Sequence, residues 1–148
     1  MTSRIIGIGS YLPENIVTNT DLTEFIDTSD EWIRERSGIC ARRISTEEGT
    51  SALAVKAAKR AIEDAGIAPE EIEIIVLATS SPDRAFPSAA TDVQAAVGAL
   101  NAVAFDITAA CSGFIYGMHI VQGFIKSGIY KTGLVIGAET LGKVLDWT

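Results

Sequence analysis

The run Ile-Glu-Ile-Ile-Val-Leu-Ala at residues 72–78 constrains this chain more than any other feature. A strand this rich in β-branched residues, with so little alternation, must be covered on both faces, which is the mark of a parallel sheet packed between helices. The neighbouring segments fit that frame. Residues 102–107 and 133–138 read as further strands, and residues 5–9, ended by Tyr11-Leu12-Pro13, as a first one. Ala54, Ala58, Ala61 or Ile62, and Ala65 recur at helical spacing, with Thr50 as the expected cap and Gly66 as the stop. Pro87 heads a helix over 88–97 that Gly98 closes. The helix expected over 112–126 is apolar nearly all round, so it is predicted to be central and buried, with Gly113 and Gly117 allowing close packing. Two short helical signals, 21–26 and 30–36, form a polar insertion after the first strand. The second has Thr28 or Ser29 as N-cap and Gly38 near its end. The alternation predicts an α/β fold with a mostly parallel sheet.

Composition narrows the function classes. A chain of 148 residues, 47% of them hydrophobic, is long enough for one globular domain and too apolar for a disordered one. The net charge of −7, with no basic run longer than Arg42-Arg43, argues against nucleic acid as a partner. The longest apolar stretches, 74–78 and 134–136, fall far below the roughly 20 residues of a membrane span, and the N-terminus does not read as a signal peptide. A cytoplasmic protein with no membrane partner is expected. Two distant cysteines and a single histidine suit neither a disulfide framework nor a metal site.

Cys111 is the most informative residue, because it falls between a strand ending near Ile107 and a helix beginning at Ser112. Unpaired helix N–H groups and the positive end of the dipole stabilise a thiolate there, and small neighbours (Ala109, Ala110, Ser112, Gly113) permit a sharp turn and close approach of a substrate. The competing reading is an inert buried cysteine. His119 lies eight residues along the same helix, about 12 Å of rise away, so it cannot act as the base for Cys111 and is expected to be a structural, hydrogen-bonded histidine. Cys40 reads as structural too. Gly7-Ile8-Gly9 lacks the third glycine of a dinucleotide fingerprint. Residues 137–143 have phosphate-loop spacing, but Glu139 sits inside them and Val144 stands where Ser or Thr is needed. Trp32 and Arg36 are one turn apart and share a face, which suits a stacked base beside a phosphate as well as a plain anchoring role.

Five motifs in order along the chain resemble the N-terminal half of β-ketoacyl-[acyl-carrier-protein] synthase III, a thiolase-fold family. They are IIGIGSYLP at 5–13, TSDEWIRERSG at 28–38, AFPSAA at 85–90, FDITAACSGF at 105–114 and KSGIYKTGLVIG at 126–137. The resemblance implies that Cys111 takes an acyl group from acetyl-CoA or a short acyl-CoA primer, with no cofactor beyond the CoA thioester. The acylated enzyme then condenses with malonyl-acyl carrier protein. It implies further that Trp32 stacks on the CoA adenine, Thr28 hydrogen-bonds it, Arg36 lies near its phosphates, and Phe86 crosses a homodimer interface toward the partner's acyl pocket.

The resemblance also implies what residues 1–148 lack. The family's catalytic His and Asn, an arginine just past Trp147-Thr148, and a strand lying between the first and last strands present belong to a missing second half. Asp146-Trp147-Thr148 follows the last strand without a closing helix, so the chain reads as an N-terminal thiolase-like half-domain. Such a half is expected to expose apolar surface and to be inactive in condensation. Two alternatives compete: another thiolase-superfamily condensing enzyme of secondary metabolism, and a non-catalytic dimerisation or binding module.

Overall fold

The β-branched run forms a strand, Ile74–Ala78, that is buried along its whole length in the middle of a three-stranded sheet. The computed structural model describes residues 2–145; the chain end read above as abrupt lies outside the described residues. In chain order the elements are β1 (Ile16–Thr18), α1 (Asn19–Leu22), α2 (Asp30–Ser37), β2 (Ala41–Arg43), α3 (Thr50–Ala65), β3 (Ile74–Ala78), α4 (Ala89–Val97), β4 (Val103–Ile107), α5 (Gly113–Ser127) and β5 (Gly133–Gly137). Short 3-10 turns lie at Pro69–Glu71, Ala110–Ser112 and Leu141–Val144. Two compact units result: residues up to Tyr11 with Glu48–Glu139, and Leu12–Glu47 with the residues from Thr140 on.

In the larger unit the order is β4-β3-β5, all parallel, with Ile74 opposite Val103 and Gly133 at one end and Ala78 opposite Ile107 and Gly137 at the other. Successive side chains of β3 point to opposite faces. Ile75 and Leu77 enter a core with Ala54, Ala58 and Ile62 of α3 and Ala90 and Val93 of α4, whereas Ile74 and Val76 meet Val121 and Phe124 of α5. Each such fully buried side chain contributes roughly 1.5–3 kcal/mol, against about 0–1 kcal/mol for a surface ion pair such as Arg84–Asp92. Apolar packing of β3 therefore decides the architecture, and the α/β expectation holds.

Three local expectations are corrected. Thr50 does not cap α3: it is the first helical residue, its hydroxyl donates to the Ser81 carbonyl at 2.5 Å, and Asp83 caps the helix by accepting from Thr50 N–H (2.7 Å) and Ser51 N–H (2.8 Å). Residues 5–9 form no ladder among the described residues. A strand needs a hydrogen-bonding neighbour, and β5 pairs only with β3, so this segment seats on α3 instead. The Ile8 amide donates to Asp64, and a Cβ on Gly9 would stand 2.3 Å from the Ala57 carbonyl oxygen. Ile5, Ile6 and Ile8 consequently remain exposed. Finally, α5 is not buried all round. The sheet covers the side bearing Gly113, Gly117 and Val121, while Phe114, Ile115 and Tyr116 are about half exposed.

In the smaller unit β1 and β2 pair antiparallel, with Val17 opposite Arg42 and Thr18 opposite Ala41, a pairing the sequence reading did not anticipate. The first helical signal starts earlier and ends sooner than expected. A capping box between Thr18 and Asp21 starts α1 at Asn19, and turns replace helix after Leu22. Ser29, not Thr28, caps α2 by accepting from Trp32 N–H at 3.1 Å, and Gly38 ends it with a left-handed φ of 72°.

Candidate active site

The C-terminal ends of β3, β4 and β5 carry a cluster of small polar residues, the end of an open parallel sheet where ligands bind in such folds. Thr108, after β4, donates its hydroxyl to the Thr79 carbonyl at 3.1 Å. Glu139, after β5, accepts from Ser80 N–H at 2.7 Å and from the Ser81 hydroxyl. Sequence reading weighed Glu139 only as an obstacle to phosphate; its use as a tie across the strand ends needs the sheet register.

Cys111 lies in this region, in the 3-10 turn Ala110–Ser112 that leads directly into α5. The residue before it, Ala110, has φ = 45°, a left-handed conformation that a side chain makes costly and that sharpens the turn presenting the thiol. Cys111 is exposed and unpaired by any disulfide. Asp106, five residues earlier, accepts from Ala89 N–H (2.7 Å) and Ala90 N–H (2.8 Å), capping α4 where Ser88 makes no side-chain cap. The legible signal for this role was a lone carboxylate inside the apolar Val-Ala-Phe-Asp-Ile strand.

Phe86 follows β3 in the same unit and is 87% exposed, beside a cis Phe86–Pro87 peptide. His119 departs from its expectation: it is exposed on α5, and its side chain makes no hydrogen bond among the described residues. Cys40 is exposed as well, not a packed structural thiol. Among the described residues no group of His, Cys, Asp or Glu could hold a metal ion, and no helix is long and apolar enough to cross a membrane.

Thr28, Trp32 and Arg36 belong to the smaller unit. Trp32 is half exposed, and the Arg36 guanidinium lies over its ring at 5.0 Å from the centroid, so the two share a face of α2 as their spacing predicts. Thr28 is half-buried and immediately precedes the cap of α2, its side chain not taken up by capping. Asp30 opens the helix and receives Arg34 Nε on both oxygens, at 2.8 and 2.7 Å. Those bonds, and a further one from Asn19, hold its carboxyl below the usual aspartate range.

The chain is similar to known proteins. A family model described as 3-oxoacyl-[acyl-carrier-protein (ACP)] synthase III matches residues 105–148. The beta-ketoacyl-[acyl-carrier-protein] synthase III of Clostridium acetobutylicum is 58% identical across 97% of this chain and 44% of its own length. That of Bacillus anthracis is 53% identical across 99% of this chain and 48% of its own. The crystal structure of 3-oxoacyl-[acyl-carrier-protein] synthase III from Aquifex aeolicus superposes with a TM-score of 0.94 at 54% identity, covering 97% of this chain and 46% of that one. A priming beta-ketosynthase from the R1128 polyketide biosynthetic pathway superposes with a TM-score of 0.93 at 36% identity, covering 97% and 43%. The chain thus spans somewhat under half the length of the relatives it matches.

Proposed function

We propose that this chain belongs, over the segment it spans, to the 3-oxoacyl-[acyl-carrier-protein] synthase III family and is the nucleophile-bearing, N-terminal half of a condensing enzyme that initiates fatty acid synthesis, a reading supported by the likenesses above. The observation that carries the reading is the exposed Cys111 on a sharp turn at the head of α5. Its thiolate attacks the thioester carbonyl of acetyl-CoA or a short acyl-CoA. The C–S bond to CoA breaks, the CoA thiolate takes up a proton, and the acyl group rests on Cys111 as a new thioester. Malonyl-acyl carrier protein then loses CO2, and the carbanion so formed attacks the acyl-Cys111 carbonyl, giving a β-ketoacyl-acyl carrier protein and freeing the Cys111 thiolate.

In this reading Trp32 supplies the stacking face for the adenine of CoA, Thr28 hydrogen-bonds it, and Arg36 serves its phosphates. Phe86 reaches across a homodimer toward the partner's acyl pocket, a role its exposure supports. The decarboxylation step belongs to a His and an Asn outside residues 1–148, so this segment alone is proposed to fall short of condensation. The setting is a soluble, cytoplasmic one. The likeness to a polyketide priming synthase favours a second reading, in which the same acyl transfer primes a secondary metabolite; the higher identity to the fatty acid enzymes places it second.

Intact-protein mass spectrometry after incubation with acetyl-CoA tests the proposal. One acetyl group on the wild type and none on Cys111→Ser is the expected result. An acetyl group retained by Cys111→Ser, or none on the full-length wild-type enzyme, would overturn it.

A further inference from the structure

Helix α2 is eight residues long, too short to persist by itself in water, and among its residues only Ile33 is buried. Something outside the helix must hold it. Asn19, the first residue of α1, is fully buried with 0% exposure. Its Nδ2 donates both hydrogens, one to Asp30 Oδ1 at 2.8 Å and one to the Ile39 carbonyl at 2.7 Å, and its Oδ1 accepts from Arg42 Nη1 at 2.7 Å. Asp30 opens α2, and Ile39 directly follows its closing Gly38. One buried amide thus ties down both ends of the helix that presents Trp32 and Arg36, which sit between the two ties. Asn19 is itself set in place by the Thr18–Asp21 capping box and by the β1–β2 ladder, which brings Arg42 beside it.

We infer that Asn19 is a positioning residue for nucleotide recognition, fixing the Trp32–Arg36 platform for the adenine and phosphates of an acyl-CoA without touching the ligand. This rests on the reading of that platform given above. The chemistry at Cys111 is not involved, so the effect falls on capture of the nucleotide and not on acyl transfer. A preorganised site loses affinity when its support loosens, even with every contacting residue intact.

The test compares two substrates in the full-length enzyme: acetyl-CoA, and acetyl-pantetheine, which keeps the thioester and lacks the nucleotide. Asn19→Asp is isosteric but places a second carboxylate against Asp30 and a carbonyl. Asp30→Ala removes one of the two ties at a side chain that is 43% exposed, so it remains decisive if the buried variant fails to fold. Both variants are expected to raise KM for acetyl-CoA by about tenfold with kcat nearly unchanged, and to leave acetyl-pantetheine turnover at the wild-type rate. Equal losses with both thioesters, or no change with either, would overturn the inference. Trp32→Ala separates it from its premise. If that variant raises KM for acetyl-CoA while the other two do not, only the role of Asn19 falls. If it leaves KM unchanged, the platform reading falls and the inference with it.

Discussion

The Thr108 hydroxyl donates to the Thr79 carbonyl at 3.1 Å, joining the ends of β4 and β3 three residues before the candidate nucleophile Cys111. Side chains thus reinforce the strand ends, where the Thr79 amide still donates to the Ile107 carbonyl and the Ala138 amide to the Ala78 carbonyl. Asp106 and Glu139 act in the same way on α4 and on the segment after β3.

Asp106→Ala leaves the Ala89 and Ala90 amides without their acceptor. A loss of about 1–3 kcal/mol is expected, read as a lower urea midpoint, and Asp106→Asn, which keeps one carbonyl oxygen, is expected to lose less. Wild-type stability in Asp106→Ala would show that water replaces the cap without cost.

Two glycines should respond with opposite sign. In Gly9→Ala the new methyl meets backbone atoms of α3, including Ala61 N at 2.3 Å, that cannot yield, and about 1–3 kcal/mol of destabilisation is expected. In Gly123→Ala, within α5, the new Cβ meets no atom within 4 Å beyond its chain neighbours and the helix's own backbone, and roughly 0.5–1 kcal/mol of stabilisation follows from helix propensity. Thermal melts of the two variants check the contrast.

Both cysteines are exposed and free, so accessibility alone predicts similar alkylation. The turn before α5 predicts otherwise: iodoacetamide should label Cys111 faster than Cys40, and acetyl-CoA should protect Cys111 only. Peptide mapping over a time course reads both rates, and equal rates would count against a catalytic thiol.

Acid should unfasten two specific ties. Glu73 accepts from the Lys131 and Thr132 amides, and these bonds lower its carboxyl below the ordinary value; Asp30 is lowered chiefly by Arg34. A carboxyl that ionises more easily when folded stabilises the fold above its unfolded pKa, about 3.9 for Asp and 4.3 for Glu, and that contribution fades as pH falls through the folded value. Thermal stability should therefore drop below about pH 4.3, and less steeply in Glu73→Gln. Parallel pH profiles of the two proteins would refute this.

Much of the fold was legible because burial leaves a local signature. The apolar run of β3 announced a sheet covered on both faces, and Gly38, Gly66 and Gly98 marked helix ends where a left-handed residue was required. The position of Cys111 between strand and helix could be read the same way. Less legible were the caps. Gly49 and Ser88 stand at the cap positions of α3 and α4, yet Asp83 and Asp106, distant in sequence, do the work, because a carboxylate brought in by the tertiary fold satisfies two amides at once. Residues 5–9 and α5 misled for a related reason: pattern specifies what a segment can bury, and whether a neighbour covers it is a property of the assembled fold.

Local chemistry alone settled the three strands of the parallel sheet, the helices packed on it, the α/β class, and the thiol at the head of α5, since each depends on spacing and residue type within a few turns of chain. Tertiary structure decided that Asn19 spans both ends of α2 and that Glu139 gathers the segment after β3. Hydrogen bonds are short and directional, so which distant groups meet depends on the register and packing of whole elements, and no periodicity in the sequence encodes that.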